Sequence, residues 1–221
     1  MNREQAILFD IKIIAANMGV SIKYKDNSWF MKVLSKILFF NKKFMTRFTT
    51  TIGKTVYFPS SQWEDRDPLR SAEVLCHELV HVEDQMRLGT LRYVVAYLAP
   101  QLLALLTLLS VWFGPAHLAW LLCLLPIPSP GRAWLEARAY AVSIITKSWL
   151  YDEELKPKQW MIDSFTGPNY YWMWPFHSHV HRQLEALCKL ANDRRLHADI
   201  PIVYLLRKTI ARHMNLTIVK S

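Results

Sequence analysis

The segment His77-Glu78-Leu79-Val80-His81 sets two imidazoles four residues apart with a carboxylate beside the first. Residues four apart share one face of a helix, so both imidazoles can reach one Zn²⁺ while Glu78, one step round, can approach the water on it. Two neutral imidazole ligands leave zinc a strong Lewis acid that lowers the pKa of its water toward ~7, so that a carboxylate can deprotonate it during attack on a carbonyl. His77 and His81 are therefore read as metal ligands and Glu78 as the general base of a hydrolytic site. The competing reading is a pair of surface histidines on a charged helix. The uncharged neighbours Cys76, Leu79, Val80 and Val82 favour a half-buried helix instead. Glu83 and Asp84 follow, expected to be solvated or to accept a hydrogen bond from an imidazole.

A zinc site needs a third protein ligand. The candidates are Glu136 and the cluster His177, His179 and His181. Glu136 stands among Trp134, Leu135, Ala137, Ala139, Tyr140 and Ala141, where an unpaired carboxylate is expensive to bury and a metal would supply the partner. An ion pair of Glu136 with Arg132 is the alternative. The three histidines follow the aromatic stretch Tyr170, Tyr171, Trp172, Trp174 and Phe176 and enter a C-terminal helix, where cap or surface positions suit them better.

The elements that must position these groups are signalled locally. Asp67-Pro68 is an N-cap followed by proline at the first helical position, and Gly89 is a stop, which predicts a helix from Pro68 to about Leu88. Ser129-Pro130 starts a second helix running from Arg132 to about Leu150. Upstream, Ile7, Leu8, Ile11, Ile14 and Met18 recur at helical spacing before Gly19, Ser21 to Tyr24 leans toward strand, and Ser28 caps a helix from Trp29 to about Leu38. The β-branched runs on either side of Gly53-Lys54, within Thr49 to Phe58, predict a hairpin. Interruption of the apolar N-terminal positions by Arg3, Glu4, Asp10 and Lys12 argues against a targeting peptide.

Composition adds a second theme. The chain has 221 residues, 27 Lys plus Arg, 18 Asp plus Glu, a formal charge of +9 and 52% hydrophobic residues. It is too apolar for a disordered basic tail and too poor in glycine and proline for a fibrous protein. Cys76, Cys123 and Cys188, odd in number and with no CxxC pair, suit a reducing compartment and exclude a cysteine-based zinc site. Between Arg92 and Arg132 there is no Asp, Glu, Lys or Arg, a run of 39 residues from Tyr93 to Gly131 with Gly114-Pro115 near its middle. A membrane crossing needs roughly 20 apolar residues, and Val94 to Phe113 is long enough. The other reading is a helical hairpin docked on protein.

A His-Glu-x-x-His helix, then a hydrophobic helical hairpin, then a helix bearing Glu-x-x-Ala resembles the gluzincin metallopeptidases of the HtpX and CAAX prenyl protease type. The resemblance covers about residues 68–148. In Glu136-Ala137-Arg138-Ala139-Tyr140 the glutamate and alanine match, while Tyr140 stands where the family has aspartate. It implies a zinc-dependent endopeptidase with Glu136 as third ligand, and a hairpin over Thr49 to Phe58 that holds peptide as an added strand. The fold expected is α+β and mostly helical: a zincin-like core with a small antiparallel sheet or hairpin before the His-Glu-x-x-His helix. One domain spans residues 1–221, with 93–131 an inserted hydrophobic hairpin and 150–221 a helical C-terminal part. Tyr140, Tyr170, Tyr171 and His177 are candidate oxyanion donors.

If His77, His81 and Glu136 bind one ion, both flanks of the run lie on one side of any membrane, so a single crossing is excluded. Arg92 and Arg132 flank the run, which places the catalytic body on the cytoplasmic side of a membrane-associated protein. A protein or peptide is the expected substrate. Two alternatives stand beside the peptidase: a zincin-fold structural or interaction protein, of a virus particle or membrane complex, and a nucleic-acid-associated protease. For the latter, Lys42, Lys43, Arg47 and Lys54 and then Arg194, Arg195, Arg207, Lys208 and Arg212 would meet phosphates, though anionic lipid headgroups suit them better beside so apolar a run.

Overall fold

The structure is a computed structural model that describes residues 2–38, 41–99, 114–115, 118–119, 122, 125, 127–168, 172–192 and 195–214. In chain order its elements are α1 (Arg3–Asn17), β1 (Ser21–Tyr24), α2 (Trp29–Ile37), β2 (Thr50–Ile52), β3 (Thr55–Phe58), α3 (Ser61–Arg66), α4 (Pro68–Leu88) and α5 (Thr90–Leu98). After the hydrophobic run come α6 (Pro130–Tyr151), α7 (Gln159–Thr166), α8 (His177–Asn192), α9 (Leu196–Asp199) and α10 (Ile202–Met214). The architecture is α+β and mostly helical.

Capping chemistry sets the starts of the N-terminal helices. Asn2 and Gln5 cap α1 reciprocally, Ser28 accepts from the Met31 amide at the start of α2, and Asp67 accepts from the Arg70 amide at 2.9 Å at the start of α4. Proline at the first position of α4 and α6 loses nothing, because that amide has no helical acceptor. Ser129 departs from the sequence reading. It does not cap α6 with its side chain; its hydroxyl donates to the Ala99 carbonyl at 2.6 Å. Two points near the ends of the uncharged run are thereby joined.

The sheet is mixed, with strand order β1-β3-β2, and this corrects the antiparallel expectation. β2 and β3 form the predicted hairpin, closed by Gly53 at φ 59° with Thr51 opposite Val56. β1 joins the other side of β3 in parallel, from Ser21 opposite Thr55 to Tyr24 opposite Phe58. A parallel neighbour requires a long crossover, and the segment carrying α2 provides it. β2 is left as an edge strand beside α4.

Helix α6 is buried nearly all round, from Ala133 through Thr146 apart from Trp134, as its apolar composition requires. One of its faces packs with α1, α4, α10 and the inner face of the sheet around Ile11, Phe58, Leu79, Val142 and Leu206. The opposite face packs with α7 and α8 around Tyr140, Ile144, Phe165, Val180 and Leu184. α4 and α6 run antiparallel, since Glu73 meets Lys147, His77 meets Ser143 and Asp84 meets Arg138. Cys76 and Cys188 are buried free thiols. No helix among the described residues is long and apolar enough to cross a membrane. The expected crossing from Val94 to Phe113 and the second arm to Leu125 lie largely outside the described residues, as do Cys123 and Arg194. The first residues of the run are described, and they form the second half of α5, which packs on α4 and α6.

Candidate metal centre

On α4, His77 and His81 occupy one face through their four-residue spacing, and α6 brings Glu136 against them. Glu136 Oε2 lies 3.7 Å from His77 Nε2 and 3.8 Å from His81 Nε2. One ligand atom from each of the three residues falls within 4.8 Å of the others. Ligands of a tetrahedral zinc stand about 3.3 Å apart, given bonds of about 2.0–2.1 Å, so a small inward movement of the three groups suffices. The carboxylate is 1% exposed, and among the described residues no donor satisfies its Oε2. At 3.7 Å the imidazoles are too far for a hydrogen bond. An orphaned anionic oxygen aimed between two imidazole nitrogens is unfavourable by itself and is resolved by a cation there.

The other atoms of the three ligands show how they are oriented. Tyr97 of α5 donates its phenol to Glu136 Oε1 at 2.5 Å, which turns Oε2 toward the histidines. Ser143 Oγ sits 3.0 Å from His77 Nδ1, so that Nε2 is the nitrogen left for the ion. Tyr140 packs edge-on against the His77 ring at 5.0 Å, and Tyr97 does the same to His81 at 6.0 Å. Burial alone would raise the Glu136 carboxyl, but His81, His77 and Arg132 outweigh it and hold it down to about 2. For His77 burial opposes the charged form, yet the carboxylates of Glu136 and Glu78 prevail and raise its pKa. For His81 burial wins and lowers it.

Glu78 lies beside His77 at the edge of the sheet, where Thr51 of β2 donates to its Oε2 at 2.7 Å. An open cleft of about 330 Å³ reaches His77 and Glu78. Trp63, Val74, Tyr140 and Trp160 wall it, and Lys43, Arg47 and Arg70 are the cations on its lining. Glu73 lies in the cleft as well, paired with Arg70 at 2.7 Å and Lys147 at 3.3 Å.

His77, Glu78, His81 and Glu136 therefore come together, and Tyr140 joins them in the cleft wall. His177 does not. It is exposed at the start of α8, with its Nε2 3.1 Å from Gln159, and it is absent from the cleft lining. His179 accepts from the Trp174 indole and His181 pairs with Glu185, which leaves Glu136 as the third ligand candidate. Tyr170 and Tyr171 lie outside the described residues. Glu83 and Asp84 are not solvated, nor do they orient an imidazole: Asp84 is fully buried against Arg138, and Glu83 accepts from the Ile202 amide at the start of α10.

Sequence reading missed Tyr97, Ser143 and Thr51. Ser143 and Tyr140 lie seven and four residues after Glu136, one face of α6, and that periodicity is a usable signal. Tyr97 was hidden in the uncharged run, and only its spacing of four from Tyr93 sets it apart. No family model, no curated protein and no solved structure matches this chain. The chemistry assigned to it rests on this geometry.

Proposed function

We propose that the protein is a zinc-dependent endopeptidase, with His77, His81 and Glu136 as metal ligands and Glu78 as general base. One observation carries the reading: the buried Glu136 Oε2, without a donor among the described residues, points at two imidazole nitrogens beside a cleft that also contains Glu78. Two imidazoles and one carboxylate suit zinc. A bound zinc supplies Lewis acidity and makes neighbouring water acidic enough to react near neutral pH.

The chain's own residues do the rest. Glu78, held by Thr51 on one oxygen, is placed to take a proton from an attacking water and return it to the leaving amine. Tyr97 and Ser143 hold the ligands in orientation. Tyr140 lies in the cleft wall against His77, where a phenol can donate to a developing oxyanion. The edge strand β2 borders the cleft, so an extended peptide added to it would lie across Glu78 using backbone hydrogen bonds alone. Membrane association through residues 93–131, with the catalytic body facing the cytoplasm, belongs to the same proposal. The Ser129–Ala99 hydrogen bond supports one part of it, the return of the run to the side from which it left.

Metal content and peptide hydrolysis test the reading together. Wild type should hold one zinc per chain, Glu136→Ala should lose it under mild dialysis, and Glu78→Gln should keep it while hydrolysing peptides about 10²–10⁴-fold more slowly. Wild type without stoichiometric metal ends the proposal. Full metal with a Glu78→Gln protein as active as wild type removes Glu78 as base.

A further inference from the structure

Residues 27–63 contain six cations, Lys32, Lys36, Lys42, Lys43, Arg47 and Lys54, and no Asp or Glu. Two-thirds of the formal +9 thus resides in one segment. The same segment carries α2, which buries only Met31 and leaves Trp29 75%, Ile37 64%, Val33 45% and Phe30 42% exposed. At about 100° per residue, Trp29, Val33, Ile37 and Phe30 fall within roughly 100° of arc, with Lys36 and Lys32 on its flank. The opposite side of the helix holds Met31, turned into the body.

This is an unpartnered apolar stripe edged by cations and free of acid. A protein partner would bury the stripe but gain nothing from the lysines unless it were acidic, and nucleic acid would meet the lysines but not the stripe. The interface of an anionic bilayer accommodates both, because apolar side chains enter the acyl boundary while lysines reach headgroup phosphates. We propose that α2 is an interfacial helix that docks the protein on an anionic lipid surface. The docking site is separate from residues 93–131 and does not depend on the metal centre.

The segment is tied to the body of the protein. Buried Lys25, just after β1, donates to the Phe44 carbonyl at 2.7 Å and lies 3.8 Å over the Phe44 ring. On either side of Phe44 in the chain, Lys43, Arg47, Phe48 and Thr49 line the cleft that reaches Glu78.

Co-sedimentation of the full-length protein with phosphatidylcholine vesicles, with and without phosphatidylglycerol, tests the proposal. Wild type should bind the anionic vesicles, bind neutral ones weakly, and be released by salt. Trp29→Ser combined with Ile37→Asp changes two exposed side chains and should weaken binding about tenfold or more. Lys32→Gln and Lys36→Gln should each weaken it about fivefold, and Glu78→Gln should leave it unchanged. Three results overturn the proposal: no vesicle binding by wild type, equal binding to neutral vesicles, or undiminished binding by the Trp29/Ile37 variant. The last would leave residues 93–131 as the sole anchor, and loss of a wild-type dimer in that variant without loss of vesicle binding would make the stripe a contact between copies.

Discussion

Two of the carboxylates that the antiparallel pair α4 and α6 buries, Asp84 and Glu136, are handled in opposite ways. Asp84 meets Arg138 at 3.0 and 3.1 Å through Nε and at 2.9 Å through Nη2, and the guanidinium also donates to the Asp199 carbonyl and stacks on Trp134. Every charge there has its counter-charge within the chain. Two residues before Arg138 on α6, Glu136 has one oxygen bound by Tyr97 and the other facing two imidazoles with no donor among the described residues. The first arrangement is complete as folded. The second leaves one anionic oxygen without a donor among the described residues, and two histidines with a carboxylate are the donors that a metal would use. Burial alone does not separate a structural carboxylate from a ligand; what separates them is whether the surrounding groups close the charge.

Breaking the closed pair should give the larger stability effect. Asp84→Ala leaves a buried guanidinium unpaired and is expected to cost about 3–5 kcal/mol in chemical denaturation. The metal content of the fraction that remains folded should equal that of wild type. Replacing Asp84 and Arg138 together by apolar residues of similar volume should recover much of the loss, because both desolvation costs vanish at once. A ligand-site role for Asp84 would show instead as lost metal at unchanged stability.

Acid should discriminate the two regions in metal-free protein. The folded Glu136 carboxyl is held at about 2 against an ordinary 4.5, so its stabilisation is fully present above about pH 4.5 and lost as the pH falls through 2. The difference amounts to something on the order of 3 kcal/mol. In chelator-treated protein the stability gap between wild type and Glu136→Gln should therefore narrow across that window, hold between about pH 4.5 and 6.5, and narrow again as the pH rises through the raised pKa of His77. Added zinc should sharpen the contrast, because protonation of either imidazole opposes binding and apparent zinc affinity should fall on acidification.

Tyr97→Phe removes the one hydrogen bond that fixes Glu136 while keeping the ring that packs on His81. Metal affinity should drop about 10–100-fold, measured by competition with a chromophoric chelator, with the thermal stability of the metal-free protein little changed. Equal affinity in the variant would mean that Glu136 needs no orienting donor.

The local chemistry of α4 was legible because its signals are dense: Asp67, Pro68 and Gly89 bound it, and the four-residue histidine spacing has meaning only on a helix. Glu136 was legible from its apolar neighbours. The roles of Asp84 and Glu83 were not, because their partners Arg138 and Ile202 come from segments 54 and 119 residues away, and nothing local distinguishes a paired acid from a solvated one. Similarly, β1 reads as a strand, but its parallel pairing with β3 is set by where α2 carries the chain. Tyr97 was obscured for a different reason. Its segment lies against α4 and α6, and its uncharged composition does not set it apart from the rest of the run.

Glu78 stands between the two extremes, a nearly buried carboxylate that is 8% exposed, opens onto the cleft, and has a donor from Thr51. That bond is neutral to charged and should stabilise the carboxylate modestly, by about 1.5–3 kcal/mol before solvent competes in the variant. Thr51→Val keeps the shape of the β2 side chain and removes the donor. The expected result is full zinc content and a loss in kcat of about tenfold or less, the smallest effect among these variants. Loss of metal would place Thr51 with Tyr97 as a support of the ligands. An unchanged kcat would mean that Glu78 is aimed by α4 alone, and that the edge strand contributes to the site only by what it can bind.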